Sequence, residues 1–239
     1  ENQNLPGFIS INPPSSVGGA QNFGSAFLPA AFQGTKFTVT DTSARNRRID
    51  RMRRGEVNPY GINNAVNGRL SKTDQRAQLD LLAKLNREKL ARDVHNPVIE
   101  GAIENYELAF RMQDAMPELM DTSGESERTL RMYGADGGPT ESFGKQCLLA
   151  RRFVEAGVRF VEVTHGNWDQ HTNLTALHAQ RAEACDKPIA GLLQDLKERD
   201  LLKDTLVIWG GEFGRTPAAQ NGDGRNHNNK GYTTWMAGG

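Results

Sequence analysis

Gly157-Val158-Arg159-Phe160-Val161-Glu162-Val163-Thr164-His165-Gly166-Asn167-Trp168-Asp169-Gln170-His171 passes from a helix stop, through an apolar β-branched run, into a polar loop holding two imidazoles and a carboxylate. Upstream, Phe143, Cys147, Ala150 and Val154 recur at helical spacing, and Gly157 supplies the residue that ends such a helix. Residues 158–163 then have strand composition. Downstream, Leu174, Leu177, Arg181, Cys185, Ile189, Leu192 and Leu196 mark a second helix, bent or restarted at Pro188, and Leu206-Val207-Ile208-Trp209 reads as a second buried strand. Helix, strand, helix, strand with short turns implies an α/β fold: a mostly parallel sheet with helices on both faces. The two strands are expected to be parallel neighbours or near-neighbours, with the intervening helix crossing one face. Tyr232-Thr233-Thr234-Trp235-Met236-Ala237 is a third candidate strand.

Toward the start, residues 1–70 read as a loop-rich segment, of which residues 1–45 are rich in Gly, Pro, Ser and Asn, with only short ordered pieces expected there. Residues 71–133 are helical. Leu79, Leu82, Leu85 and Leu90 lie on a first helix, Asn96-Pro97 breaks it, and Ile99, Ile103, Tyr106 and Phe110 lie on a second that runs to Met116-Pro117. A capped turn and a short helix follow. This middle part reads as an added helical layer, because it holds one histidine and no cluster of ligand-type residues. Residues 142–239 are the α/β portion in which the chemistry concentrates.

Across 239 residues, 29 Lys and Arg balance 29 Asp and Glu, so no net positive field is offered to nucleic-acid phosphates or anionic lipid. Apolar runs fall far short of the roughly 20 residues needed to span a bilayer. Cys147 and Cys185 sit in helical patterns without ligand spacing and read as core residues. The chain starts at Glu1 and stops after Ala237-Gly238-Gly239, and it reads as a piece of a longer protein, incomplete at both ends.

Two strand ends carry polar, glycine-containing segments: residues 164–171, and Gly210-Gly211-Glu212-Phe213-Gly214-Arg215-Thr216. In open parallel sheets such ends form the crevice where ligands bind. Four of the 5 histidines lie in this last third, with Asp169, Glu212 and Asp223 nearby. Imidazole and carboxylate together suit Zn²⁺ and similar ions, which also stabilise charge on a transferred phosphoryl or sulfuryl group. The same residues admit plainer readings. Asp169 can cap the following helix with His171 in its first turn, Glu212 can pair with Arg215, and residues 222–231 can be a polar surface loop. His178 reads as surface, and His95 as a structural residue at a helix end.

Residues 143–161, Gly166-Asn167-Trp168-Asp169-Gln170-His171, Gly211-Glu212-Phe213-Gly214-Arg215-Thr216-Pro217 and Gly224-Arg225-Asn226-His227 together resemble the sulfatase-like bacterial family catalogued as domain of unknown function 1501. Leu28-Pro29-Ala30-Ala31-Phe32-Gln33-Gly34 is similar to it as well. That resemblance implies membership of the alkaline phosphatase superfamily, with divalent ions at the carboxyl edge of the sheet. It implies Asp169, His171, Glu212 and His227 as metal ligands, and Arg215 and Arg225 as catalytic groups facing an ester's anionic oxygens. Zinc is the first choice of metal, with calcium or magnesium as alternatives. The implied activity is hydrolysis of sulfate or phosphate esters of a small molecule or polysaccharide, in a periplasmic or secreted protein. A catalytically inactive, metal-containing protein of the same fold that binds anionic polysaccharide is the alternative. Two departures stand out. Asn226 occupies a place where the family motif has Asp, and no strand near the start ends in Asp with Ser, Thr or Cys, so no nucleophile is assigned within this chain.

Overall fold

Gly7 and Asn12-Pro13-Pro14 bracket the run Phe8-Ile9-Ser10-Ile11, which forms strand β1 (Phe8–Ile11) in a computed structural model that describes residues 2–14, 18–29, 32–39, 70–93 and 96–239. The readings of His95 and of Ala30-Ala31 lie outside the described residues. β1 is the middle strand of a parallel sheet ordered β2-β1-β3, with β2 at Thr35–Phe37 and β3 at Phe160–Val163. Ile9 faces Thr35 on one side and Val161 on the other, and Ile11 faces Phe37 and Val163. Ile9, Ile11 and Phe37 are fully buried, and Phe37 meets the Phe153 ring edge-on at 5.2 Å. Each such side chain contributes about 1.5–3 kcal/mol by leaving water. At the end of β1, Asn12 turns into the left-handed region (φ 51). Its side chain accepts from the Val39 N–H at 2.8 Å and donates to the Val39 carbonyl at 3.2 Å, which ties the ends of β1 and β2 together.

Helices α1 (Lys72–Asp93) and α2 (Pro97–Met120) belong to the same compact unit, Glu1–Gly124 with Arg152–Thr164. They run antiparallel. Lys72 pairs with Asp114, while the Arg76 guanidinium forks onto Glu107 at 2.8 and 2.6 Å and lies 5.0 Å over the Phe110 ring. α2 is the inner helix: Met116 is fully buried, Arg111 donates to the Gln3 carbonyl at 3.1 Å, and Arg152 donates to the Leu119 carbonyl at 2.7 Å. α1 is the outer one, with Leu82 and Leu85 exposed. The expected stop at Met116-Pro117 is passed, and α2 continues through Pro117 to Met120.

The second unit, Glu125–Arg151 with His165–Gly239, is built around a buried ionic network. It contains α3 (Glu127–Met132), most of α4 (Glu141–Glu155) and α5 (Leu174–Glu198). Arg151 on α4 reaches Glu125 at 2.7 Å and Asp195 of α5 at 2.9 Å. Tyr133 donates its hydroxyl to Asp195 at 2.9 Å, and Arg199 meets the other Asp195 oxygen at 2.8 Å. Burial, and then the Asp195 charge, hold the Tyr133 phenol protonated well above its ordinary range. Gly144 and Gly191 let α4 and α5 close on the backbone of Met132 and Tyr133. A Cβ at Gly144 would stand 2.2 Å from the Tyr133 oxygen, and one at Gly191 2.5 Å from the Met132 oxygen. Cys147 and Cys185 are buried and unbridged, as their helical positions imply.

Two short antiparallel sheets complete this unit: β4 (Val207–Gly210) with β7 (Thr234–Ala237), and β5 (Gly214–Gln220) with β6 (Gly224–Asn228). The expectation that residues 158–163 and 206–209 are parallel neighbours is therefore wrong. The place beside β3 is taken by β1, a strand hidden in the Gly- and Pro-rich start, and β4 pairs with β7 instead. Trp209 and Trp235 face each other in that register and stack at 6.3 Å, a cross-strand pair that fixes the antiparallel alignment. Nor is the strand at 206–209 buried, since Leu206, Ile208 and Trp209 are exposed. Among the described residues parallel pairing is confined to β1, β2 and β3, and they form a mixed α/β structure with a small parallel sheet and several helices. None of the described helices is long and apolar enough to cross a membrane.

Candidate metal centre

From β3 the chain runs directly into the loop of residues 164–173, and local contacts set that loop's shape. His165 packs 4.7 Å from the Phe143 ring and accepts a 2.9 Å bond from the Trp168 indole N–H. Burial, helped by the nearby Arg181 charge, pushes the His165 pKa down and keeps the ring neutral. Asn167 takes a left-handed turn (φ 66), and the buried Gln170 closes it by donating to the Asn167 carbonyl at 2.6 Å. Asp169 is left facing outward.

The other wall is the β5–β6 hairpin. Its ladder pairs Arg215 with His227 and Gln220 with Gly224, with a bulge between Arg215 and Ala219. Pro217 has no N–H to give the ladder, and Thr216 compensates: its hydroxyl accepts from the Asn226 N–H at 3.2 Å and donates to the Ala218 carbonyl at 3.2 Å. Asn221 (φ 48) and Gly222 (φ 92) make the turn. The hairpin is fixed to the loop at Gly224 and Arg225, where the Arg225 N–H donates to the Gln170 carbonyl at 3.2 Å.

This docking brings together three of the residues singled out from sequence. Asp169, His171 and His227 each offer a ligand atom, all within 4.8 Å of one another. Asp169 Oδ1 lies 2.8 Å from His227 Nε2 and 3.0 Å from His171 Nε2, and the two imidazole nitrogens are 3.2 Å apart. Ligands held at 2.0–2.1 Å around tetrahedral zinc stand about 3.3 Å from each other, so a small opening of this triangle admits an ion. Two imidazoles with one carboxylate form a donor set that suits zinc with a further position left for water or substrate. The residues fit the metal.

The remaining candidates are placed differently. Glu212 is exposed and stands outside the group of three. Arg215 pairs with Asp169 at 2.6 Å, not with Glu212. Arg225 folds onto its own turn, donating to the Asp223 and Gly224 carbonyls at 2.9 Å each. Asp223 accepts from the Thr175 N–H at 3.0 Å, so this residue, and not Asp169, caps the start of α5. Asn226 accepts from the His227 N–H at 2.8 Å. His178 is exposed on α5, with its ring 4.9 Å from Trp168. Hydrogen bonds from His227, first, and Arg215 lower the Asp169 pKa to about 2, so the carboxylate is ionised at neutral pH.

Phe213 and Gly224, which stand in the motifs without an assigned role, and Gln220, which lies outside them, complete the setting. The Phe213 ring lies 4.4 Å from His227, and Gln220 Oε1 lies 2.8 Å from His171 Nδ1. The dipeptide Asn221-Gly222 was the available signal for the hairpin that carries them.

No curated protein and no solved structure matches the chain. One family model does, that of Protein of unknown function (DUF1501), and it aligns with residues 1–239, which include every motif around the three ligand groups. The chain belongs to the DUF1501 family.

Proposed function

We propose that this protein is a metal-dependent hydrolase of sulfate or phosphate esters, related to the sulfatases and the alkaline phosphatase superfamily. The observation that carries the reading is the meeting of Asp169, His171 and His227, from a loop and a hairpin distant in sequence, with their ligand atoms 2.8–3.2 Å apart. These three side chains would hold the ion, with zinc favoured by the imidazole content. A divalent ion supplies Lewis acidity toward an anionic ester oxygen. Arg215 holds Asp169 in place through its 2.6 Å bond, and Phe213 packs on the His227 ring and limits its rotation. The half-exposed ligand side chains leave the group open to a substrate from solvent. A periplasmic or secreted setting fits this activity.

One observation favours a second reading, a metal-containing protein that binds anionic polysaccharide without turning it over. Both guanidinium groups expected to face the ester are engaged by the protein itself, Arg215 with Asp169 and Arg225 with turn carbonyls. Assaying the zinc-loaded chain on p-nitrophenyl sulfate and p-nitrophenyl phosphate separates the two. Zinc-dependent release of nitrophenol that disappears in His227→Ala supports the hydrolase. Bound zinc with no release from either ester favours the binding protein.

A further inference from the structure

We infer that Gln220 is a positioning residue for this centre: its side-chain carbonyl fixes the tautomer of His171 so that Nε2 presents a lone pair to the ion. The inference rests on the metal reading of Asp169, His171 and His227 and goes beyond it, because Gln220 is not itself a ligand.

Gln220 Oε1 lies 2.8 Å from His171 Nδ1. A carbonyl oxygen only accepts, so the proton in that bond belongs to Nδ1. A neutral imidazole carries one ring proton, and Nε2 of His171 is therefore the bare nitrogen. That nitrogen points at the cluster, 3.0 Å from Asp169 Oδ1 and 3.2 Å from His227 Nε2. Asp169 Oδ1 is likewise an acceptor. It already takes bonds from Arg215 at 2.6 Å and from His227 at 2.8 Å. Two acceptors thus face each other at 3.0 Å, with the His227 Nε2–H within 2.8 and 3.2 Å of them, so the three atoms offer their lone pairs to one point once an ion takes the place of that proton. Ligating histidines in metal sites characteristically donate their other ring N–H to an acceptor of this kind, which fixes ring orientation and raises basicity.

The placement of Gln220 follows from the hairpin. It is the last residue of β5, paired with Gly224 across the Asn221-Gly222 turn, and that turn is the part of the hairpin joined to the His171 loop. Shortening or shifting the turn by one residue would carry Gln220 off the ring. The bond also spans the two sequence segments that supply the ligands, so it couples the loop's imidazole to the strand preceding the other one.

The test uses the full chain. Nitrogen-15 NMR of the histidine rings in metal-free protein reads the His171 tautomer directly, with no metal and no substitution required. A zinc titration against a competing chelator then compares wild type, Gln220→Leu and Gln220→Glu. The expected results are an Nδ1–H tautomer in wild type and zinc affinity lowered about 10- to 100-fold in Gln220→Leu. Affinity is retained or improved in Gln220→Glu, which keeps the acceptor. An Nε2–H tautomer in wild type, or equal zinc affinity in wild type and Gln220→Leu, overturns the inference. Failure of the metal reading looks different: wild type itself then takes up no zinc, while the tautomer measurement still decides the role of Gln220.

Discussion

Gly224 lies against the His171 carbonyl so closely that a Cβ built on it would stand 2.0 Å from that oxygen and 2.2 Å from its carbon. No side chain fits between them. Both atoms belong to backbone, which cannot swing aside as a flexible side chain would. The contact sets how near the β5–β6 hairpin comes to the loop, and hence how near His227 comes to Asp169.

Gly224→Ala is expected to push the hairpin off the loop, at about 1–3 kcal/mol of stability for the overpacking. The sharper consequence is local. Zinc affinity should fall even though no ligand has been changed, while a β5–β6 substitution away from the contact, such as Ala218→Ser, leaves it intact. Thermal melts and zinc titration of both variants check this, and unchanged affinity in Gly224→Ala would remove the contact from the account.

Asp169 should titrate with a midpoint of about 2 in the metal-free chain. The ordinary value is about 3.9, so the ionised form stabilises the fold fully above roughly pH 4 and loses that contribution as pH falls toward the folded value. His227 is the largest cause of the shift, with Arg215 next. Carboxyl-carbon NMR of His227→Ala should show the midpoint moving up toward the ordinary value, with Arg215 retaining part of the depression.

The buried network predicts a contrast in stability. Asp195→Ala removes one of the two carboxylates around Arg151, whose side chain is 2% exposed, and takes from Tyr133 and Arg199 the acceptor they share, so it should cost about 3–5 kcal/mol. Arg128→Ala removes a 3.0 Å pair with Glu198 at the surface and should cost less than about 1 kcal/mol. Denaturant melts of the two variants measure the difference. Similar losses would mean that the buried network is not what holds α3, α4 and α5 together.

Periodicity made the helices legible. The leucines of α1, the capped turn before α3, the Gly157 stop after α4 and the apolar positions of α5 all left marks in the sequence. Strand pairing left none. β1 is four residues long inside a Gly- and Pro-rich stretch, so the central strand of the parallel sheet was not separable from loop, and its absence made β4 the apparent partner of β3. The hairpin was hidden for another reason. Gly224-Arg225-Asn226-His227-Asn228 has no apolar alternation, because its pairing is supported by docking on the loop at Gly224 and not by a hydrophobic face.

The ligand group was more legible than the fold. Asp169 and His171 share one loop, and His227 shares a motif with Gly224, so residue type and family pattern alone mark these three as candidates. Glu212 shows where that reasoning reaches its limit. It has the right chemistry and follows β4 closely, and the next residue, Phe213, packs on His227, but Glu212 itself is exposed and is not among the three grouped residues.

The claim on which the rest depends is that Asp169, His171 and His227 hold a divalent ion. Metal analysis of the purified protein after equilibration with zinc and removal of the excess, for wild type and the Asp169→Ala/His171→Ala double variant, addresses it directly. The account predicts bound zinc in stoichiometric amount in wild type and its loss in the double variant, with the helical circular dichroism signal preserved. Equal zinc in both proteins, or none in wild type, would contradict it.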